Sequence, residues 1–216
     1  MPRKLIFFCE MPATVHGSRG GNPIMDGRAF TKVLDSAVAD KFKSKGGIQY
    51  SGIFADAGVD DRFVTWQDSM QTSDRREAEG VLKSTGWDFE WLPDGSLRRF
   101  KNMPATRLHP VSGEEVWCNQ LTAQHHTYFH SHPTFPELAG KTEYDATFPY
   151  PFDTRYGDGS PVEQEVLDYL RGLMWSNSVG FQWEAGDMLI MDNIAVAHAR
   201  LDFEGDRRMW VSMTMD

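Results

Sequence analysis

Four of the chain's seven histidines fall inside one nonapeptide, Q-H-H-T-Y-F-H-S-H at 124–132. They are His125, His126, His130 and His132. Imidazole nitrogens bind divalent transition metals, and His130 and His132 make an H-x-H pair whose rings share one face on a strand. With a third histidine, such as His198 in V-A-H-A-R, that pair forms a cupin-like H-x-H…H metal set. Pro133 directly after the pair and Ser131 within it favour a loop instead, in which the four histidines line a pocket or hydrogen-bond at the surface. A second chemistry is offered by Arg207 and Arg208. A guanidinium is a planar fork that grips a carboxylate through paired, charge-assisted hydrogen bonds. If R-R-M-W-V-S-M is a strand, Arg208, Trp210 and Ser212 share one face, and Met209, Val211 and Met213 the other. The first set suits a polar cavity and the second a packed core. Arg208 is therefore the candidate clamp, and Arg207 is expected to point away.

The elements that position these groups must come from one chain of 216 residues, room for a single domain (1–216). Hydrophobic residues at 40%, with seven Trp and fourteen Phe, supply a large core and argue against disorder. Acidic residues outnumber basic ones 31 to 22, which argues against nucleic acid or an anionic membrane as a partner. The apolar stretch at the start is too short for a signal peptide, and no apolar run is long enough to span a bilayer, so a cytoplasmic location is expected. Cys9 and Cys118 form no C-x-x-C and read as reduced core thiols.

Lys4 to Cys9 reads as a strand, followed by a G-S-R-G-G-N-P loop at 17–23. Asp26 caps a helix expected over Ala29 to Phe42, and Ile48 to Phe54 alternates as a strand. Ser73 to Ser84 reads as a polar helix with Ser73 as cap. W-D-F-E-W-L and L-R-R-F flank a P-D-G-S turn and make a hairpin, with a second hairpin around 112–115. Residues 133–161 lack a period and read as a long ordered loop, ahead of a helical stripe from Val162 to Met174. The C-terminal part reads as three strands, V-G-F-Q-W-E, M-L-I-M-D-N and R-R-M-W-V-S-M-T-M.

The run F-Q-W-E-A-G-D-M-L-I-M-D-N-I-A-V-A-H-A-R-L-D-F-E-G-D-R-R-M-W-V-S-M resembles the C-terminal half of the taurine dioxygenase type (TauD/TfdA-like) of iron(II)- and 2-oxoglutarate-dependent dioxygenases. The likeness is to the branch near clavaminate synthase and the syringomycin-type hydroxylases. P-R-K-L-I-F-F-C-E-M-P, the G-G-N-P-I loop, E-W-L-P-D-G-S-L, V-W-C-N-Q and T-R-Y-G-D-G-S-P-V fit that branch in order. The resemblance implies a mainly β fold with added helices, a double-stranded β-helix (jelly-roll). It also implies Fe(II), 2-oxoglutarate as co-substrate, dioxygen, and hydroxylation of a small, amino-acid-like substrate. Iron(II) that also binds a 2-oxoacid and dioxygen leaves room for two histidines and one carboxylate. By the resemblance His198 is the distal iron ligand, Arg208 the 2-oxoglutarate clamp, and Asn22 stands where the family has a Thr that contacts 2-oxoglutarate. Asn119, Trp210 and Ser212 are implied substrate contacts. The family's H-x-D or H-x-E pair is expected just before the first strand. No histidine here has an acidic residue two positions on, so the domain reads as N-terminally incomplete. The competing expectation is a catalytically inactive remnant or binding module of the same fold.

Overall fold

The structure, a computed structural model, describes residues 3–15, 20–60, 62–141 and 143–214. Part of the 17–23 loop, Gly17 to Arg19, lies outside the described residues. In chain order the elements are β1 (Lys4–Met11), β2 (Ile24–Asp26), α1 (Gly27–Val33), α2 (Ser36–Ser44), β3 (Ile48–Phe54), α3 (Trp66–Met70) and α4 (Arg75–Ser84). There follow β4 (Asp88–Trp91), β5 (Leu97–Met103), β6 (Thr106–Leu108), β7 (Glu115–Trp117) and α5 (Thr127–His130). After a 3-10 turn at Pro136–Leu138 come β8 (Asp153–Tyr156), α6 (Gln164–Ser176), β9 (Met188–Asp192), β10 (Val196–His198) and β11 (Arg208–Thr214). They fall into two compact units, one of Met1–Val38, Ala105–Asn119 and Asp168–Asp216, the other of Ala39–Pro104 and Gln120–Leu167.

The first unit is organised by an antiparallel sheet in the order β11-β1-β9. Alternation along β1 sends Leu5, Phe7 and Cys9 inward, where they pack with Trp183 and Met191. The register pairs Phe7 with Val211 and Cys9 with Met209, so those β11 residues stand on the same face as the β1 core residues. A second pair, β10 with β2, sets His198 opposite Ile24. The connection from β9 to β10 is made by Asp192, whose Oδ1 accepts from the backbone N–H of Ile194 and Ala195 at 2.9 and 3.1 Å. His109 Nε2 meets the other carboxylate oxygen at 3.0 Å.

Asp26 caps as expected, accepting from the N–H of Arg28 and Ala29. The helix after it breaks in two, because Leu34 turns extended to bury its side chain and Asp35 Oδ1 restarts the helix by accepting from Ala37 N–H at 2.8 Å. The expected V-G-F-Q-W-E strand is replaced by a segment with one isolated bridge, Val179 to Ile24. Its anchor is a side chain: Trp183 is buried and its indole donates to Asn22 Oδ1 at 2.8 Å. The third C-terminal strand is instead the short β10. Both cysteines are free thiols whose pKa values burial pushes up.

The second unit carries an antiparallel sheet in the order β4-β5-β3-β8. The P-D-G-S hairpin forms with Gly95 at φ +89°, a conformation that favours glycine. The helix before it, α4, is capped by Asp74 rather than Ser73. Within the segment expected to be loop, Asp153–Tyr156 pairs with β3 as a strand, and the chain before it packs Phe135, Leu138, Phe148 and Tyr150 around Phe129. His130 closes the helical turn α5 and His132 follows in a turn, so the H-x-H pair is not on a strand and its shared-face geometry is lost.

Glu163 contributes to the acid sensitivity of this unit. Burial pushes its carboxyl up, but hydrogen bonds from Lys41 at 2.7 Å and Tyr156 at 2.8 Å outweigh this and hold it at about 2. A depressed carboxylate stabilises the fold above its ordinary value of 4.5, and that stability drains away as pH falls toward 2. Glu163→Gln is expected to flatten the acid limb of a stability–pH curve in that window while leaving its slope near neutrality unchanged. An unaltered acid limb would refute this assignment.

Candidate functional site

A cavity of about 300 Å³ opens in the first unit between β1, β10 and the start of β11. Phe7, Met209 and Val211 form its apolar wall, and Asn22, His198, Arg200 and Arg207 bring its polar groups. Each position follows from the backbone. The G-G-N-P loop runs against the chain after His198, with Ala199 N–H donating to Pro23 O and Leu201 N–H to Gly21 O, both at 3.0 Å. That ladder carries His198, Ala199 and Arg200 past Asn22.

Asn22 is the hub. It is buried; its Nδ2 donates to Ala199 O at 2.8 Å, and its Oδ1 accepts from Trp183 Nε1 and from an Arg207 guanidinium N–H, each at 2.8 Å. Both lone pairs of the amide oxygen are thereby occupied. Asn22 thus holds other pocket residues in place.

The His198 ring stands edge-on to Phe7 at 5.3 Å and opens onto solvent. Partial burial lowers its pKa, which favours the neutral imidazole that a metal ligand must be. Arg207 and Arg200 both lie over the Phe203 ring, with guanidinium carbons 5.4 Å from its centroid. Burial, and then the charge of Arg200, lower the Arg207 pKa. Arg207 Nε is buried without a hydrogen-bond partner, and among the described residues no carboxylate pairs with either arginine. Two guanidiniums with no carboxylate partner among the described residues thus line one apolar-walled cavity, a charge pattern complementary to an anion.

Arg208 is not part of this cavity. It faces the other side of β11, exposed, and forms an ion pair with Glu10 at 2.7 Å. Trp210 shares that side and donates to the other oxygen of Glu10; Ser212 is exposed on the same side. The expected facing is therefore reversed. Parity along β11 is anchored by Val211 and Met209 against Phe7 and Cys9, and Arg207 has their parity. Asn119 lies elsewhere in the unit and donates to Ala105 O at 2.7 Å. Arg200 was not singled out from sequence; the signal for it was its place two residues beyond His198 on an extended segment.

Iron(II) fits the pocket only in part. Among the described residues the cavity offers one imidazole and neither a second histidine nor a carboxylate. A buried His125, His126 and Asp153 group belongs to the other unit.

Residues 1–214 match the taurine catabolism dioxygenase TauD, TfdA family. The chain belongs to that family. It is 34% identical over 213 residues to the dapdiamide synthesis protein DdaC of Enterobacter agglomerans, covering 99% of this chain and 61% of that protein. It is 25% identical to a clavaminate synthase-like protein of Arabidopsis thaliana, covering 98% of this chain and 60% of that one. A solved putative alpha-ketoglutarate dependent 2,4-D dioxygenase from Burkholderia xenovorans aligns over 99% of this chain and 62% of its own, with 12% identity and a TM-score of 0.47. The chain thus spans about three fifths of the length of the curated relatives it matches. Its fold class is that of the family, mainly β with added helices and of the double-stranded β-helix kind. Among the described residues no helix is long and apolar enough to cross a membrane.

Proposed function

We propose that this chain supplies the co-substrate side of an Fe(II)/2-oxoglutarate-dependent dioxygenase that hydroxylates a small, amino-acid-like substrate. The observation that carries the reading is Arg207: a half-buried arginine with a buried, bare Nε that lines the cavity with His198 and pairs with no carboxylate among the described residues. A 2-oxoglutarate carboxylate completes it. Asn22 orients the fork through the guanidinium N–H it accepts, and Phe7, Met209 and Val211 keep water from competing with that contact. Arg200 adds a second positive charge, which favours a dianion over a monoanion. His198 would hold iron, which with a 2-oxoacid and dioxygen would supply the oxidation of an unactivated C–H bond. The substrate class follows the resemblance to the amino-acid-oxidising branch, and a relative named for dapdiamide synthesis accords with it.

One observation favours a second reading, a module that binds 2-oxoglutarate without turning it over: the described cavity holds one iron ligand of the three needed. Succinate formation separates the two. Expressed as these 216 residues and supplied with Fe(II) and 2-oxoglutarate, the protein is expected to make negligible succinate. A polypeptide that carries these residues together with an H-x-D or H-x-E pair is expected to make it, and to lose the activity on His198→Ala. Persistence of succinate formation in that variant would overturn the assignment of His198. Failure of every such polypeptide to make succinate would favour the binding module.

A further inference from the structure

In the second unit, the histidine-rich segment does assemble a cluster, though not the H-x-H pair. His125, His126 and Asp153 are all buried, and one ligand-type atom from each lies within 4.8 Å of the others. Asp153 opens β8, and the segment before α5 is pinned against it, since Asp153 Oδ1 accepts from the His126 backbone N–H at 3.1 Å. The same oxygen meets His126 Nδ1 at 2.8 Å, and Arg155 Nε donates to Oδ2 at 3.2 Å.

These contacts leave one side of the cluster unsatisfied. His126 is 8% exposed, and its Nε2 is buried with no hydrogen-bond partner among the described residues. His130, whose ring lies 5.2 Å from that of His126, has a buried Nδ1 in the same condition, while Tyr150 holds its other nitrogen at 3.0 Å. Buried imidazole nitrogens are normally paired. An ion pair of His126 with Asp153 explains one nitrogen of His126 and not the other. Metal-bound histidines have this form, one ring nitrogen held by a carboxylate and the other directed at an ion.

We propose that His126 through Nε2 and His130 through Nδ1, with His125 beside them, form a binding site for a divalent metal of the zinc class, Asp153 orienting the His126 ring from its other nitrogen. Imidazole nitrogens are borderline donors suited to zinc. The burial of His125, His126 and Asp153, and their attachment to a strand and a helical turn, fit a structural ion that locks the 124–132 segment onto β8. This ligand set shares no residue with the His198 cavity, so the site stands or falls apart from the proposed dioxygenase function.

The test uses the whole chain, stripped of metal by a chelator and titrated with Zn²⁺ and with Co²⁺ as a spectroscopic probe. One Zn²⁺ per chain is expected, with visible Co²⁺ bands of tetrahedral type and a thermal midpoint raised by the metal. His198→Ala should keep all three signals. Asp153→Asn, which preserves shape, should weaken Zn²⁺ binding roughly 10- to 100-fold. His126→Ala should abolish it. If His126→Ala does not fold, Asp153→Asn and the zinc-dependent midpoint of the unaltered chain still decide. Absence of Zn²⁺ binding by the unaltered chain, undiminished binding in Asp153→Asn, or its loss in His198→Ala would each overturn the proposal.

Discussion

Arg207→Ala is expected to weaken 2-oxoglutarate binding about 10- to 100-fold, whereas Arg208→Ala should change it by less than about threefold. A hydrogen bond to a charged group is worth about 1.5–3 kcal/mol, and each 1.4 kcal/mol is tenfold in affinity. Arg207 works in a cavity walled by Phe7, Met209 and Val211, where an unpaired carboxylate would be left partly desolvated. Arg208 is exposed on the other side of β11 and already paired with Glu10. Removing it from an exposed, solvent-screened ion pair costs the fold little. Calorimetric titration of both variants with 2-oxoglutarate reads the contrast directly. Equal losses would mean that the two arginines act jointly and that the cavity is not the co-substrate site.

The second large effect is expected at Asn22. Alanine there removes three hydrogen bonds at once and strands the indole N–H of buried Trp183. At about 0.5–1.5 kcal/mol for each bond, with a further cost for the orphaned donor, unfolding in denaturant should show a loss of about 2–4 kcal/mol. Asn22→Asp separates scaffold from site. It keeps the volume and the acceptor oxygen but sets a carboxylate against the Arg207 guanidinium. That internal anion competes for the fork, so 2-oxoglutarate affinity should fall about tenfold or more, with less loss of stability than in Asn22→Ala. A stable Asn22→Asp variant with unchanged affinity would show that Arg207 does not bind the co-substrate.

Some of this was legible from residues alone. The apolar run from Lys4 to Cys9 has the length of a strand, and Asp26 announces its helix. His198, singled out through the resemblance, stands at the end of the short strand β10, which was not among the expected strands. The choice between Arg207 and Arg208 was not legible, because parity on β11 is fixed by its partner strand. A one-residue error in facing sends every side chain to the wrong side. The assumption that polar residues face the cavity failed because an apolar wall is what makes a buried carboxylate contact strong. Asn22 was expected to touch the co-substrate, but its hydrogen bonds reach Trp183, Ala199 and Arg207, all more than 160 positions away in sequence. V-G-F-Q-W-E looked like a strand by composition, yet it makes one isolated bridge and is anchored by the indole of Trp183 on Asn22. Pro133 and Ser131 favoured a loop over an H-x-H strand, and the segment is not a strand; the turn before Thr127–His130 brings His126 to Asp153, a residue whose place was hidden until β8 paired with β3.

The most direct measurement is a crystal structure of the chain grown with 2-oxoglutarate. One carboxylate of the ligand is expected within hydrogen-bond distance of the Arg207 guanidinium, completing its bare Nε, with the 2-oxo end directed toward His198. Density for 2-oxoglutarate on the Arg208–Glu10 side of β11, or anywhere away from Arg207, would contradict the assignment.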